Sequence, residues 1–481
     1  MKKVLLINPR FTEEVSIFNI PVSLLYLGSY LIEKGYEVEI IDALYYKDPK
    51  QFIAKLIHTT KTTDLVGLTV MSTQIPHAVQ ISKLVRMVSK TPIVWGGVHP
   101  TLFPRQLFAE PLIDYVVTGD GEEALVDILE GKRPELKVKK GIPVDINKTP
   151  GPNWNLLRDT FPRLSLRQMQ EQMEFGMPLL TSRGCPHKCT FCINSILGTK
   201  YRRRNLHLVI EDILQAKNKG ITRFEMVDED FFADRERAFS FINQVMHLNI
   251  RWVAGCRTSY FTEKYLGNID NLTRIKNSGC WFLGTGAESG SQRILDKVHK
   301  AAKVEDTLVM AEALGKVDIQ GNFSFMIGLP GETVEDYKAT LNLISKVIKT
   351  NPNTYILGPQ IYRPYPGSVL YEECIKEGME EPRSLEEWIK SPYIHFEFAS
   401  KSHYLKEFYP WIKFKGDLTN LVFYATLMGV RPRFMPVTKT MRLIGRIRCG
   451  LFFFRFPVLK WIYGAIRGSK LEEALRRWQV I

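Results

Sequence analysis

The 481-residue sequence lacks the features that define several large classes of protein. It has only seven cysteines, an odd number, and four of them are scattered along the chain: Cys256, Cys280, Cys374 and Cys449. This pattern excludes a disulfide scaffold and favours a reducing compartment. No internal repeat or low-complexity tract is present, which excludes solenoid and collagen-like proteins.

Long apolar runs are missing as well. After the basic start Met-Lys-Lys, the apolar run is too short for a signal peptide and indicates a first β-strand. The apolar stretch 449–466 is interrupted by Arg455, Pro457 and Lys460, so it falls short of the roughly twenty uninterrupted apolar residues of a membrane span. We therefore expect a cytoplasmic protein.

The composition is that of a globular chain, 45% hydrophobic and 24% charged, and the length indicates two or three domains. The net charge of +14 is unevenly distributed, because the segment 396–481 has 16 Lys and Arg against 5 Asp and Glu. Most of the positive excess therefore lies in the last part of the chain.

Three of the seven cysteines form a cluster, Cys185, Cys189 and Cys192, with the spacing Cys-x3-Cys-x2-Cys. Thiolates suit zinc, copper(I) and iron–sulfur clusters, but a structural zinc site needs four ligands, and no second pair follows. Three thiolates leave one iron of a [4Fe–4S] cluster open to another molecule. The alternatives are zinc with His187 as a strained fourth ligand, or three unconnected buried thiols.

This motif resembles the cluster loop of the radical S-adenosylmethionine enzymes, whose Cys-x3-Cys-x-aromatic-Cys pattern is matched by Cys185, Cys189, Phe191 and Cys192. The resemblance implies that the three cysteines hold a [4Fe–4S] cluster and that Phe191 lies beside S-adenosylmethionine. It further implies reductive cleavage of S-adenosylmethionine to a 5′-deoxyadenosyl radical, with an external one-electron reductant.

Residues 1–130 alternate short β-branched runs with helical stretches, which predicts a parallel sheet covered by helices, with ligands beyond the carboxyl ends of the strands. Small and polar residues occupy these strand ends. The candidate ligand-binding residues are Ser72, Thr73, Gly97, His99, Gly119, Gly121 and Glu122. The alternative is that the glycines simply turn the chain.

Together with residues 21–27, these loops resemble the cobalamin-binding domain that precedes many radical S-adenosylmethionine cores. The resemblance implies a Rossmann-like fold in which these residues contact cobalamin. No Asp-x-His-x-x-Gly motif occurs, so His99 is expected to touch the periphery of the cobalamin or to cap its loop, and cobalamin to bind base-off. Residues 131–176, rich in Lys and Pro, are predicted to form a linker.

Residues 177–396 again alternate strand and helix, which predicts a partial (β/α)6 barrel with its chemistry at the carboxyl ends of the strands. The strands are expected to begin at Leu179, Phe224, Trp252, Trp281, Asn322 and Tyr355. Two strand ends match family motifs for S-adenosylmethionine. They nominate Glu288 and Ser289 on the ribose side, and Gly328 and Gly331 near the adenine and methionine moieties.

Other strand ends leave two interpretations open. The acidic turn 228–230 is either solvated or in contact with cofactor or substrate, and Arg257 either meets a ligand carboxylate or forms a structural ion pair. Thr333 suits a helix N-cap after the 328–331 turn.

Residues 397–481 are predicted to form a basic, mainly helical region. Basic residues interleaved with Phe, Trp, Leu and Ile fit a helix lying on the inner membrane face, and the alternative is a helical cap on the barrel. Nucleic acid is not favoured, because no nucleic-acid-binding motif is present.

The chain is thus expected to be an α/β enzyme that methylates an unactivated carbon of a small molecule, with cobalamin as methyl donor. A hydrophobic or lipid-like substrate is suggested by the tail alone. Oxidative cyclisation or carbon–carbon coupling, as in the anaerobic cyclase of chlorophyll synthesis, is the alternative within the family. A non-catalytic iron–sulfur or cobalamin sensor or carrier is the alternative outside it.

Overall fold

The structure is a computed structural model. It describes residues 1–11, 20–132, 134, 137–157, 164–197, 200–391, 409–414, 417–429 and 435–454, with side chains from residue 439 in the last range. The chain forms two compact units. The first unit comprises Met1–Gly184, Ile196–Glu225 and Glu380–Glu397, and the second comprises Cys185–Ser195, Met226–Met379 and Phe398–Ile481.

The first unit contains a six-stranded parallel sheet of order β2-β1-β3-β4-β5-β6. Its strands are β1 (Lys3–Asn8), β2 (Glu37–Asp42), β3 (Leu65–Thr69), β4 (Ile93–Gly96), β5 (Tyr115–Thr118) and β6 (Val138–Lys140). The α-helices in this part of the chain, before residue 177, are α1 (Val22–Glu33), α2 (Pro49–Thr60), α3 (Ile75–Val88), α4 (Val98–Leu102), α5 (Glu122–Leu129) and α6 (Leu166–Gln172). Short 3-10 helices lie at Ala43–Tyr45, Ser72–Gln74, Pro104–Leu107 and Trp154–Leu157.

The core of this sheet explains why its inner strands β1, β3, β4 and β5 are mainly apolar. Leu5, Ile7, Val66 and Trp95 are fully buried, as expected of a parallel sheet covered on both faces. The strand order reverses at β1, which lies between β2 and β3. In such sheets ligands bind outside the carboxyl ends of the strands near the reversal.

The predicted linker, residues 131–176, has secondary structure of its own. Its strand β6 pairs in parallel with β5, in the register Val116↔Val138. A strand rich in lysine suits this edge position, because edge strands tolerate charged residues that discourage further pairing. The pairing depends on a partner about twenty residues away, which local composition does not reveal.

A second six-stranded sheet has the order β14-β13-β12-β11-β10-β7. Its strands are β7 (Met177–Leu179), β10 (Arg223–Met226), β11 (Arg251–Gly255), β12 (Cys280–Glu288), β13 (Gln320–Ile327) and β14 (Tyr355–Ile361). Each predicted strand start lies within two residues of the observed one. Between β7 and β10, β8 (Ser182–Arg183) pairs antiparallel with β9 (Arg202–Arg203).

Helices separate most of the strands of the second sheet and follow its last strand. They are α7 (Asn194–Leu197), α8 (Leu206–Asn218), α9 (Arg235–Val245), α10 (Ile269–Asn277), α11 (Gln292–Lys297), α12 (Val304–Lys316), α13 (Val334–Thr350), α14 (Val369–Lys376), α15 (Leu385–Lys390), α16 (Leu418–Met428) and α17 (Met435–Gly450). A 3-10 helix lies at Thr258–Tyr260. Strands β11 to β14 are parallel neighbours, which brings their carboxyl ends to one edge.

The described C-terminal residues contribute to the core of the second unit. Trp411 and Tyr424 are buried, and the Trp411 Nε1–H group donates to the carbonyl oxygen of Gly328 at 2.9 Å. The ring of Phe414 packs on Tyr337 of α13. For these residues the helical-cap alternative is favoured.

No helix in the described ranges is long and apolar enough to cross a membrane. Of the predicted apolar stretch 449–466, residues 455–466 lie outside the described residues.

Candidate active site

The cysteine loop lies in the second unit, where Cys185, Cys189 and Cys192 all have free thiols. Cys189 is buried, and the other two are half-buried. Burial is the main reason why the pKa values of the Cys185 and Cys192 thiols are raised. The loop is anchored by backbone hydrogen bonds on both sides of Thr190, whose N–H group donates to Val298 O at 3.1 Å and whose carbonyl accepts from Leu370 N at 3.2 Å.

His187, the candidate fourth zinc ligand, is engaged elsewhere. Its Nε2 atom lies 2.8 Å from the Tyr260 hydroxyl and 3.3 Å from Asp230 Oδ2. The Tyr260 hydroxyl donates to the same Asp230 oxygen at 2.7 Å. Among the described residues, no group of three or more His, Cys, Asp and Glu side chains could hold a single metal ion. In a [4Fe–4S] cluster, by contrast, each cysteine binds a separate iron.

A buried cation lies against the cysteine loop. Arg257, which follows β11 and is only 7% exposed, places its Nη1 atom 3.6 Å from the Cys189 sulfur. Its Nε and Nη2 atoms have no hydrogen-bond partner within the described residues. Among the described residues Arg257 forms no ion pair with a carboxylate, so the structural ion-pair interpretation is not supported, and its contact with a ligand carboxylate stays a prediction.

The acidic turn 228–230 is not uniformly solvated. Glu229 is exposed, whereas Asp230 is 2% exposed and is bound to Tyr260 and His187. The Oδ1 atom of Asp230 has no partner among the described residues. The solvated interpretation therefore does not hold for Asp230.

Glu288, at the end of β12, forms a buried ion pair that sequence reasoning missed. Its Oε1 atom accepts from Lys300 Nζ at 2.8 Å, and both side chains are less than 10% exposed. Lys300 Nζ also lies 5.9 Å from the centre of the Phe191 ring in the cysteine loop. Lys300 thus connects two predicted S-adenosylmethionine contacts that are 97 residues apart in the sequence.

Gly286 makes room for this ion pair. A Cβ atom at this position would collide with Glu288 Oε1 and lie 2.9 Å from Lys300 Nζ. Packing against this ion pair is therefore sufficient to explain a glycine at position 286.

Ser289 is fully buried, and its hydroxyl lies 3.2 Å from Thr340 Oγ1 on α13. This contact ties the end of β12 to α13. The predicted contact of Ser289 with S-adenosylmethionine stays a prediction.

The turn after β13 is held by its own glutamate. Gly328 and Gly331 have φ angles of +79° and +74°, and Glu332 Oε2 accepts from the N–H groups of Gly328 at 2.6 Å and Leu329 at 3.0 Å. Burial raises the pKa of Glu332 to about 8, and its Oε1 atom has no partner among the described residues. Thr333 is the N-cap of α13, as predicted.

The candidate cobalamin residues lie after three neighbouring strands of the first sheet, β3, β4 and β5. Gly97 has a φ of +98°, and a Cβ atom there would lie 2.9 Å from Val70 N, so only glycine fits without strain. Gly119 also has a positive φ, and its N–H group donates to Thr101 Oγ1 at 3.0 Å. Thr73 lies in the 3-10 helix Ser72–Gln74, and Gly121 precedes α5.

Three of the candidate side chains, those of Glu122, His99 and Ser72, already have partners in the first unit. Glu122 is buried, and its Oε1 atom lies 2.7 Å from Arg183 Nη1. His99 is fully buried, its Nδ1 atom lies 3.1 Å from Ser72 Oγ, and its ring contacts Trp388. Burial lowers the pKa of His99 to about 3, so its imidazole is neutral at pH 7. These contacts favour the loop-capping alternative for His99, and its contact with cobalamin stays a prediction.

Comparison with known proteins decides the family. Residues 179–344 match the Radical SAM superfamily, and residues 14–129 match the B12 binding domain. An uncharacterized methyltransferase from Pyrococcus horikoshii is 30% identical over 377 residues, which cover 75% of this chain and 79% of the relative. The chain belongs to the radical SAM superfamily and carries a B12 binding domain.

Other members of this radical SAM family are more distant. The anaerobic magnesium-protoporphyrin IX monomethyl ester cyclase of Rubrivivax gelatinosus is 24% identical over 400 residues, which cover 77% of this chain and 70% of the relative. TsrM, a radical SAM methyltransferase from Kitasatospora setae, was solved with cobalamin and a [4Fe-4S] cluster bound. It matches with a TM-score of 0.62 at 20% identity and 81% coverage of each chain. It was also solved with a tryptophan substrate and a SAM analogue, with a TM-score of 0.59 at 19% identity and coverage of 79% and 78%.

These findings confirm the predicted family and the predicted α/β fold class, a Rossmann-like B12 domain with a radical SAM domain. The donor set in the second unit fits the cluster of a radical SAM protein, because it supplies three thiols in one loop and leaves His187 bound elsewhere. The predicted domain boundaries and the individual cofactor contacts stay predictions.

Proposed function

We propose that the chain is a cobalamin-dependent radical SAM enzyme that transfers a methyl group to an unactivated carbon of a small molecule. One observation carries the proposal for the second unit: Lys300 joins Glu288 to Phe191 of the cysteine loop. For the first unit, the match to the B12 binding domain and the candidate loops at one sheet edge support cobalamin binding.

The proposed roles in the second unit follow from the side-chain chemistry. Cys185, Cys189 and Cys192 would hold the [4Fe–4S] cluster. When bound, the cluster supplies the electron that cleaves S-adenosylmethionine and cobalamin supplies the methyl group.

Glu288 would accept hydrogen bonds from the ribose hydroxyls, and Lys300 would fix its orientation. Ser289 would support the same loop. Gly328 and Gly331 would let S-adenosylmethionine approach the backbone.

In the first unit, Ser72, Thr73, Gly97, His99, Gly119, Gly121 and Glu122 are the proposed cobalamin contacts. Because His99 is fully buried, with its Nδ1 atom 3.1 Å from Ser72 Oγ and its ring against Trp388, we expect cobalamin to bind without a histidine ligand. Adding hydroxocobalamin to the isolated protein should give the visible spectrum of a base-off corrinoid. A base-on spectrum, or no binding, would contradict this part of the proposal.

The activity is tested on the anaerobically reconstituted full chain with a low-potential one-electron reductant. We expect 5′-deoxyadenosine to form, and deuterium from S-adenosylmethionine labelled in its methyl group to enter the product. The control is Cys185→Ala, which should form neither. Cluster binding without 5′-deoxyadenosine above this control, across several candidate substrates, would favour the sensor or carrier alternative.

Oxidative cyclisation or carbon–carbon coupling is the second candidate reaction, and the similarity to the Rubrivivax gelatinosus cyclase supports it. The same labelling experiment separates the reactions. In a cyclisation or coupling, 5′-deoxyadenosine forms but no labelled methyl group enters the product.

We further propose that α17 contacts a membrane surface peripherally and that the substrate is hydrophobic. Leu443, Ile447 and Leu451 are spaced four residues apart on α17 and just beyond it, and are 56%, 51% and 72% exposed. Lys439 and Arg446 lie on the same helix, a combination that suits an anionic lipid surface.

The membrane proposal is tested by sedimentation with vesicles of anionic and of zwitterionic phospholipid. The double variant Leu443→Ser/Ile447→Ser should lose most binding to anionic vesicles. A matched control is Ile269→Ser/Val309→Ser, which alters two apolar residues of similar exposure on α10 and α12. Equal binding by both double variants would contradict the proposal.

A further inference from the structure

Two buried charges of opposite sign contact the cysteine loop of the second unit. Arg257 Nη1 lies 3.6 Å from the Cys189 sulfur. Asp230 Oδ2 lies 3.3 Å from Nε2 of His187, the residue midway between Cys185 and Cys189. The two side chains are 7% and 2% exposed, so water screens their charges only weakly.

Among the described residues, no carboxylate oxygen, including those of Asp230, lies within 4.0 Å of an Arg257 nitrogen to form an ion pair. The Arg257 Nε and Nη2 atoms and the Asp230 Oδ1 atom are also without hydrogen-bond partners in the described part of the chain. The field of each charge is therefore not cancelled by a close contact between the two groups, and both fields act on the cysteine loop.

A one-electron reduction by an external reductant adds one negative charge to an iron–sulfur cluster, and no proton or bond need change in that step. Reduction potentials of such clusters depend on nearby charge, on hydrogen bonds to the sulfurs and on solvent exposure. A buried cation that donates to a ligand sulfur stabilises the reduced state, and a buried anion near the same loop destabilises it.

We infer that Arg257 and Asp230 set the reduction potential of the cluster in opposite directions, Arg257 raising it and Asp230 lowering it. The inference rests on the proposed function, because it requires a cluster on the three cysteines. Both residues are positioning residues in this role, since they act through the cluster and its ligands.

The experiment is a redox titration of the reconstituted full chain without S-adenosylmethionine, followed by the electron paramagnetic resonance signal of the reduced cluster. At a fixed solution potential, Arg257→Gln should lower the ratio of reduced to oxidised cluster about tenfold, which is about 59 mV for a one-electron couple. Asp230→Asn should raise the ratio by a similar factor. Arg257→Lys keeps the charge and should retain more than half of the effect.

The matched control is Arg293→Gln, because Arg293 is an arginine of the same unit that pairs with Asp336 and is 54% exposed. Its potential should equal that of the unaltered protein. If Arg257→Gln does not assemble a cluster, Asp230→Asn and Arg257→Lys still test the inference, because Asp230→Asn should raise the reduction potential and Arg257→Lys should largely preserve it.

Shifts of the same sign for Arg257→Gln and Asp230→Asn, or no shift in either, would overturn the inference. The titration is then repeated with S-adenosylmethionine, and a shift that occurs only in this second titration would also overturn the inference, because Arg257 would then act on the cosubstrate. Measuring the iron and sulfide content of the unaltered chain distinguishes a failure of the tuning inference from a failure of the proposed function. An unaltered chain that binds no cluster refutes the function, whereas an unshifted cluster refutes only the tuning.

Discussion

The buried polar groups at the ends of the strands have different partners in the two units. In the first unit they hydrogen-bond mainly to one another: Asn8 Nδ2 donates to Asp42 at 3.1 Å, and Gln74 Nε2 donates to Asn8 at 2.9 Å. Asp42 and His99 each keep one atom without a partner among the described residues. Burial moves their pKa values to about 7 and about 3, so His99 is neutral at pH 7 and Asp42 is partly protonated.

In the second unit the buried groups include permanent charge. Arg257 carries the permanent charge of a guanidinium group, and Lys300 forms a buried ion pair with Glu288. Apart from the Glu122–Arg183 ion pair, the described polar groups at the first sheet edge are held mainly by hydrogen bonds, whereas the second unit places buried charges next to the cysteine loop. This division suits a large, weakly charged cofactor in one unit and an anionic cluster in the other.

The largest effect is expected from Lys300→Met, which leaves Glu288 buried and unpaired. Removing one partner of a buried ion pair costs about 3–5 kcal/mol of unfolding free energy. The measurement is denaturant unfolding followed by a probe in the second unit. The double variant Lys300→Met/Glu288→Leu should recover much of the loss, and a double variant as unstable as the single one would contradict the role of the pair.

Two glycine substitutions compare the units directly. Gly286→Ala places a methyl group against the Glu288–Lys300 pair, and Gly97→Ala forces alanine to a φ of +98° close to Val70 N. We expect each to cost about 1–3 kcal/mol of unfolding free energy through overpacking or strain. Gly286→Ala should also weaken S-adenosylmethionine binding, measured by equilibrium dialysis, while Gly97→Ala should not. If Gly286→Ala and Gly97→Ala weakened S-adenosylmethionine binding equally, the proposed assignment of this cosubstrate to the second unit would be contradicted.

The pH dependence of stability should reveal the raised carboxyl pKa values in both units. The folded-state pKa of Glu332 is about 8 against 4.5 for the free group, so its folded state binds a proton more tightly than the unfolded state. The contribution of protonated Glu332 to the free energy of unfolding is fully present below pH 4.5. It is lost as the pH rises to 8, and the free energy of unfolding falls by up to about 1.4 kcal/mol per pH unit. Asp42 should lower the free energy of unfolding in the same way as the pH rises from 3.8 to about 7, because burial raises its pKa between these two values.

The measurement is the thermal midpoint from pH 5 to 8 for the unaltered chain, Glu332→Gln and Asp42→Asn. Each variant mimics the protonated acid and should flatten the decline with pH. Glu332→Gln should act on the transition of the second unit and Asp42→Asn on that of the first. Unchanged slopes in both variants would count against the buried, protonated forms.

The smallest effect is expected from Glu122→Gln, the first-unit counterpart of the Lys300 variant. Arg183 has 19% of its side chain exposed and keeps a second carboxylate, Asp120, at 3.7 Å. We therefore expect a loss of only about 1 kcal/mol, measured by the same denaturant unfolding with a probe in the first unit. A loss as large as that of Lys300→Met would show that both units depend on buried charge.

Much of the fold was accessible from local sequence patterns. Alternating strand and helix signals predicted most strands of both sheets, and Thr333 was predicted as a helix N-cap from its immediate neighbours. The cysteine spacing predicts a cluster loop from equally local information, because all three cysteines lie within eight residues, and their role as cluster ligands stays a prediction.

What could not be predicted depends on distant partners. Lys300 lies between His299 and Ala301, both with φ near +50°, and nothing in that short polar stretch indicates a buried ammonium group. His99 lies against Trp388, 289 residues later in the chain, so its burial could not be recognised from its own loop. Long-range packing decides the environment of such residues.

The hydrogen bond from Trp411 to Gly328 has a consequence for the order of events during synthesis. Its donor emerges from the ribosome 83 residues after its acceptor, so the turn after β13 lacks this hydrogen bond while the barrel strands alone have been translated. The proposed cofactor loop is completed only when the C-terminal region arrives. A nascent chain that stops short of Trp411 would contain every proposed cofactor-binding residue and still lack the indole that donates to Gly328.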